Sequence, residues 1–437
     1  MELPPIVTTI LAILTDVFTG INDLLMTLWV DTLGLSEQLA MSINTFIGAF
    51  ALANFVLLNL ILTIWFERKV SARVQDRFGP NRVGPWGILQ TVADLGKLLT
   101  KEIIIPTNAD IVPFFLAPLI GVLSVITIWA VVPFTPTAIG ADLSVGALYF
   151  VAVSSLGLTA ILMAGWSSNN KYSVLGAFRA VAMLVSYEVP LFLGLMIPVM
   201  LTGTMSMQAI VDSQLIAYFF VMPVAGLIFW TAMIAEVGRQ PFDVLEAESE
   251  IVAGYNIEYS GFAFAIFYAA EWAHGFTICA LMAVLYFAGW RGPFVETIPT
   301  LGIVYLGVKV LVIYFIQVWA RFTVPRLRLD HIMNLCWKFL VPVMLVLLVV
   351  TIVIDKAAAA LIPNYLAYLN PDLPYFQRLT GMLPRAGVLL FINVIVGAGA
   401  LLAVSRQGRA ERERIEALRL AEIEPAGPMA PIETGAD

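Results

Sequence analysis

Residues 260–289 read SGFAFAIFYAAEWAHGFTICALMAVLYFAG. The run is apolar on every face of a helix, so it has no side to turn toward water. A helix crosses the hydrocarbon of a bilayer with roughly 20 residues. A strand of a membrane barrel would instead alternate polar and apolar positions, and lipid tolerates only helices or closed barrels because every backbone N–H and C=O must be paired internally. Residues 260–289 are therefore read as a transmembrane helix. Working outward, similar runs occupy 42–66, 112–134, 146–166, 176–202, 214–236, 301–320, 338–355 and 386–404. The fold class expected is all-α: a polytopic transmembrane helical bundle of about nine spans.

Composition agrees with this. Of 437 residues, 60% are hydrophobic and only 13% charged, with a mean hydropathy of +0.90, which does not suit a soluble surface. The 24 Lys and Arg against 31 Asp and Glu leave a net charge of −7, which argues against nucleic acid as a partner, since phosphate binding needs clustered cations. Cys279 and Cys336 are the only cysteines, too few for an iron–sulfur cluster or a cysteine-ligated zinc within this chain. No metal site is expected, and any redox cofactor belongs to a partner. No G-x-G-x-x-G, Walker loop or H-E-x-x-H appears.

Orientation follows from the connecting segments, because Lys and Arg resist translocation and collect on the cytoplasmic side. Segments 67–111, 167–175 with Arg179, 237–259 and 321–338 carry 7, 2, 1 and 4 basic residues, against 0, 0 and 1 in the loops 135–145, 203–213 and 290–300. Fourteen against one puts the first set in the cytoplasm. Residues 1–41 form an N-terminal extension whose apolar stretch 5–30 is interrupted by Asp16, Asn22 and Asp23. The cost of burying carboxylates in lipid favours an interfacial helix over a span there. The eight spans of 42–355 are followed by an outer loop at 356–385, where four prolines argue against a continuous helix. A ninth span at 386–404 then leads to a charged cytoplasmic helix and disordered tail at 405–437.

The first cytoplasmic segment runs ERKVSARVQDRFGPNRVGPWGILQTVADLGKLLTKE from Glu67 to Glu102. Ile88, Leu89, Val92, Leu95, Leu98 and Leu99 make one helical stripe and Asp94, Lys97 and Lys101 another, the pattern of an amphipathic surface helix. The flanking GPNRVGP fixes a bend that brings Arg77 and Arg82 back toward that helix. The third segment, AEVGRQPFDVLEAESEIVAGYNIEYSG, sets Glu236, Asp243, Glu246, Glu248, Glu250 and Glu258 against Arg239 alone. Acidic loops are ordinarily just solvated, but this one is too apolar to lie freely in water. Crowded carboxylates in a partly dry setting cannot all ionise.

Three ionisable residues fall within spans: Glu188, Glu271 and Lys309. Each would cost about 2.5–3.5 kcal/mol if it faced lipid at the bilayer centre, so each is expected to face the bundle interior. A charge pair, such as Lys309 with Glu271, is one reading and a proton or ion pathway the other. His274, one turn from Glu271, extends such a pathway or simply packs. The fourth segment, WARFTVPRLRLDHIMNLCWKFLVP from Trp319, carries Arg321, Arg326, Arg328 and Lys338. It is read either as a topogenic basic loop or as a cluster that neutralises the acidic segment.

ERKVSARVQDRFGPNRVGP, ADLGKLLTKE, GWSSNNKYSVLGAFRAVAMLVSYEV, RQPFDVLEAESEIVAGYNIEYSG and VPRLRLDHIMNLCWKFLVP, in this order and spacing, resemble the quinone-site membrane subunit of respiratory complex I, the H chain of bacterial NADH:quinone oxidoreductase. The resemblance runs from about 42 to 355. Trp272 stands where the family commonly has Tyr, and Leu329 and His331 where it has Tyr and Gln. It implies a chain of the cell inner membrane that forms part of a chamber for quinone, either ubiquinone or menaquinone, as substrate. It also implies other membrane-arm and peripheral-arm subunits as partners, among them the one carrying the terminal iron–sulfur cluster.

On this resemblance, Glu67, Arg68, Arg77, Arg82, Asp94, Lys97, Glu102, Arg239, Arg321 and Arg326 line the quinone chamber and its rim. Glu188, Glu236, Asp243, Glu246, Glu248, Glu250, Glu258, Glu271 and Lys309 form a proton relay that couples quinone reduction to proton translocation. Two other classes stay open: the equivalent subunit of a membrane-bound hydrogenase, which uses no quinone, and a transporter or anchor without redox partners.

Overall fold

The computed structural model describes residues 16–243, 252–362, 365 and 375–423. Among them every regular element is helical, and the only β-bridge joins Pro133 to Ile139. In chain order the helices are α1 (Val17–Thr27), α2 (Glu37–Val74), α3 (Gln90–Thr100), α4 (Ile111–Ile128), α5 (Gly146–Ser167), α6 (Lys171–Thr202) and α7 (Met207–Ser213). There follow α8 (Tyr218–Val221), α9 (Pro223–Glu236), α10 (Gly261–Tyr286), α11 (Leu301–Thr323), α12 (Leu329–Leu335), α13 (Val341–Leu361) and α14 (Tyr375–Ile423). Among the described residues eight helices are long and apolar enough to cross a membrane, with α12 and α13 acting as one of them. The chain is an all-α polytopic bundle.

The span expected at 214–236 takes a different form. Its apolar run is broken into α8 and the 14-residue α9, which at 1.5 Å per residue reaches about 21 Å, short of the roughly 30 Å hydrocarbon layer. Pro223 explains the break: its ring has no N–H and keeps the residue before it out of the α conformation, and Met222 sits at φ −134°, ψ 64°. Gln214 ties the preceding stretch to the end of α10, donating to the Val284 carbonyl at 2.9 Å and accepting from the Ala288 N–H at 2.9 Å.

The C-terminal region also differs from expectation. Helix covers both ends of the stretch 356–385, since α13 runs to Leu361 and α14 starts at Tyr375 with Pro384 inside it. Pro363, Pro371 and Pro374 lie outside the described residues. The expected ninth span and the charged helix after it are one continuous helix of 49 residues.

Between helices in lipid there is little hydrophobic force, so close packing of small residues takes its place. Gly121 of α4 faces Ala160 of α5 and Ala270 of α10 at ordinary contact distance for an added Cβ, 3.8 Å to each. Buried hydroxyls are paired across helices, Tyr286 with the Gly194 carbonyl at 2.7 Å and Tyr187 with the Ile332 carbonyl at 3.0 Å, as a dry interior requires.

Hydrogen bonds sort the connections into two sets. Asn169 donates to the Asn108 carbonyl, Ser173 to the Tyr255 carbonyl, and the Leu327 N–H to the Pro241 carbonyl, which joins the four basic segments to one another. At the other end Gln208 donates to the Pro136 carbonyl, Arg291 to the Asp212 carbonyl, and Asp16 accepts from Thr137. The division is the one the basic residues mark out. Asp16 caps α1 and finds its partners in a loop, so its carboxylate is not left to lipid.

Candidate functional site

Glu67 lies near the C-terminal end of α2, a helix of 38 residues and so longer than the roughly 20 that cross a bilayer. Its carboxylate is 2% exposed, so its charge must be met inside the protein. Arg239 Nη1 donates to both of its oxygens, at 2.8 and 2.7 Å, and Tyr314 Oη donates at 3.0 Å. Arg321 completes the pairing from the end of α11. Two separate stretches, the segment after α9 and helix α11, thus converge on one carboxylate of α2.

Arg239 reaches further. Its Nε stands 3.8 Å from Glu271 Oε1, and its guanidinium lies 4.1 Å over the Trp272 ring, a cation–π position. Burial works against its charge, but Glu67 above all, then Glu271 and Tyr314, hold its pKa above the ordinary arginine value. The residue stays cationic. It stands between Glu67, which lines one cavity, and Glu271, which lines another.

The larger is a cleft of about 850 Å³ lined by Glu67, Arg68, Ser71, the turn 77–82, Gln90, Tyr268, Trp272, Arg321 and Phe322. That volume falls within the range of small-molecule sites. Its turn is held by close backbone approach: Gly87, at φ +78°, would set a Cβ 2.2 Å from the Pro80 carbonyl oxygen, so only glycine fits. Trp65 Nε1 donates to the Trp86 carbonyl at 3.0 Å and fastens the same turn to α2. Arg68 pairs with Asp94 of α3, and Gln90 donates to Asp94 at 3.2 Å. Desolvation raises the Asp94 pKa, but hydrogen bonds from Arg68 and Gln90 and the charges of Arg68 and Lys97 outweigh it and hold the carboxyl below its ordinary value. Asp94 is the anchor of Arg68 at the cleft wall.

The smaller cavity, about 80 Å³, lies within the bundle between α4, α5, α6, α9 and α10 and is lined by Glu236, Glu271 and His274 with Ser124 and Ser154. Glu236 is 6% exposed, and its Oε2 has no hydrogen-bond partner among the described residues. Glu188 Oε1 is likewise without one, and the two carboxyls are near enough to act on each other electrostatically. Glu271 therefore borders this cavity and stands 3.8 Å from Arg239, which is paired with Glu67 of the other.

Not every expected residue joins this arrangement. Lys309 spends its donors on the carbonyls of Gly289 and Arg291, at 2.7 and 2.8 Å, at the far end of α10 from Glu271. Glu258 accepts from Asn170 at 2.7 Å and braces the start of α6. Lys97 is exposed beside Asp94, Glu102 and Arg326 are exposed away from the cleft lining, and Asp243 is half-buried. Glu246, Glu248 and Glu250 lie outside the described residues. Sequence reasoning missed Tyr314, whose hydroxyl meets Glu67, and the Trp272 ring under Arg239. Tyr314 did leave a signal, since it lies two helical turns before Arg321 on the same face of α11.

A family model described as NADH dehydrogenase matches residues 47–352. The H chain of the NADH-quinone oxidoreductase of Dehalococcoides mccartyi is 42% identical over 355 residues, 81% of this chain and 93% of that relative. The corresponding chain of Brevibacillus brevis is 45% identical over 313 residues, 70% of this chain and 93% of the relative. That of Vesicomyosocius okutanii is 41% identical over 324 residues, 71% and 90% of the two chains.

Proposed function

The chain belongs to the NADH dehydrogenase family and is a multi-pass membrane subunit of an NADH-quinone oxidoreductase; from that premise we propose that its arginine-lined cleft receives the quinone and that Arg239 transmits quinone chemistry to the interior carboxylates. The complex then lies in the cell inner membrane, and a peripheral-arm subunit carrying an iron–sulfur cluster delivers electrons at the mouth of the cleft. The observation that carries the reading is the run Glu67, Arg239, Glu271: one guanidinium in contact with a carboxylate of the cleft and 3.8 Å from a carboxylate of the interior cavity.

The cleft suits a quinone head group. Trp272, Tyr268 and Phe322 offer flat apolar faces, while Arg68, Arg77 and Arg82 supply donors for its oxygens. Reduction adds two electrons and two protons to give the quinol, so negative charge arriving in the cleft draws on the neighbouring cations. At about 4 Å and an effective dielectric near 20, a pair of unit charges interacts by roughly 4 kcal/mol. A charge that pulls Arg239 toward the cleft weakens its hold on Glu271 by an amount of that order, and so passes the change of charge to the interior carboxylate. His274, Glu236 and Glu188 border or approach the same cavity, whose size and serine hydroxyls suit a few waters able to carry a proton.

Photolabelling of the assembled complex with a photoreactive quinone analogue tests this reading. Adducts are expected in the peptide 68–82, suppressed by excess quinone. Labelling confined to other subunits, or to lipid-facing residues of this chain and insensitive to quinone, overturns it.

A further inference from the structure

The proposed function rests in part on Glu236, whose Oε2 has no hydrogen-bond partner among the described residues to fix it. Its place must come from the helix that carries it. Helix α9 is not held in line from behind, because Met222 breaks the backbone and Pro223 opens the helix without an N–H. The first free donor of α9 is the Val224 N–H, which has no partner within the helix.

Asn393 of α14 takes it. Its Oδ1 accepts from Val224 N at 2.7 Å, and the side chain is fully buried. One turn further along α14, Gly397 lies so close that a Cβ there would stand 2.6 Å from Val224 Cγ2. Helix α14 is itself anchored two turns before Asn393, where buried Arg385 donates to both oxygens of Asp355 at 2.9 and 2.8 Å and to the Leu201 carbonyl at 2.9 Å. All of these α14 residues lie beyond the stretch 47–352 that matches the family model.

We propose that Asn393 is a positioning residue for Glu236: it pins the start of α9 and thereby sets where the carboxyl at the other end of that helix lies in the interior cavity. From Val224 to Glu236 is about 18 Å of helix, a rod stiff enough to pass a displacement from one end to the other. The appended helix is then part of the coupling machinery, although it touches neither of the two cavities. The proposal rests on the reading of Glu236 as a coupling group.

The Asn393 Nδ2 has no partner among the described residues, and this makes the chemistry testable. Asn393→Asp keeps the accepting oxygen, while Asn393→Leu keeps the bulk and loses the acceptor. Both are compared in the complete complex reconstituted in vesicles, together with Glu236→Gln and the double variant Asn393→Leu/Glu236→Gln. The expected result is a loss of at least half of the protons moved per quinone reduced in Asn393→Leu, recovery in Asn393→Asp, and a double variant no worse than Glu236→Gln alone. If Asn393→Leu fails to assemble, Asn393→Ala carries the same expectation. Unchanged pumping in Asn393→Leu, equal damage in Asn393→Asp, or additive loss in the double variant overturns the proposal. A silent Glu236→Gln instead overturns the reading beneath it.

Discussion

A carboxylate on a residue 2% exposed persists only where cations and donors meet it, and Glu67 is met by Arg239, Arg321 and the Tyr314 hydroxyl. Removing one partner of such a buried pair costs about 3–5 kcal/mol, because the other charge is left uncompensated. Arg239→Ala is therefore expected to lower the thermal stability of the assembled complex markedly, and Glu67→Gln combined with Arg239→Gln to lower it less; equal loss in both would remove the pair from the account. At the cleft wall, Arg68→Ala or Asp94→Asn is expected to reduce quinone reductase turnover several-fold while NADH oxidation with an artificial acceptor persists, since on the proposed function the latter needs only the peripheral arm. Because the Asp94 pKa lies below its ordinary value, the carboxylate and its hold on Arg68 are present at neutral pH and are given up only as the pH falls through that depressed value. Glu67, Arg68 and Arg321 were legible in the sequence through the family resemblance, which implies all three at the chamber and its rim. Lys309 was legible as an interior charge but not its partner, because depth in the bundle is set by antiparallel register. Counting back from the turn between α10 and α11, Glu271 falls opposite the neighbourhood of Tyr314, well past Lys309.

At the scale of the helix, the informative departures are breaks and close approaches. The run 214–236 reads as one apolar span by composition, yet Pro223 already divides it, and the side chain of Gln214 at its start becomes a tie to α10. Another approach lies between α6 and the turn after the acidic segment, where a Cβ on Gly176 would stand 2.6 Å from the carbonyl carbon of Gly254. No sequence pattern announces that contact, since glycine within a span serves many purposes. Gly176→Ala forces backbone apart, and overpacking of this kind costs about 1–3 kcal/mol. It is expected to lower the yield and melting temperature of the assembled complex, whereas Gly96→Ala, on the open face of α3, leaves both unchanged. Equal behaviour of the two variants would show that the packing of Gly254 on α6 contributes nothing.

Taken as a whole, the molecule separates its connections into a basic end and an opposite end, and places the arginine cleft at the basic one. Gln75→Cys and Val324→Cys are expected to resist an impermeant thiol reagent applied to intact cells, and Glu296→Cys to react; the reverse pattern would invert the topology and carry the cleft to the wrong side. The fold class was legible because apolar length alone dictates helices in lipid. The approach of Arg239 to both Glu67 and Glu271 was not, because it depends on residues from α2, α10 and the segment after α9 meeting in space. The most direct measurement of that coupling follows quinone reductase turnover and vesicle acidification together in complexes carrying Glu236→Gln, Glu188→Gln or Glu271→Gln, each of which keeps the volume and removes the titratable group. The account predicts assembled complexes in which turnover and proton pumping both fall; normal turnover with normal acidification in all three would contradict it.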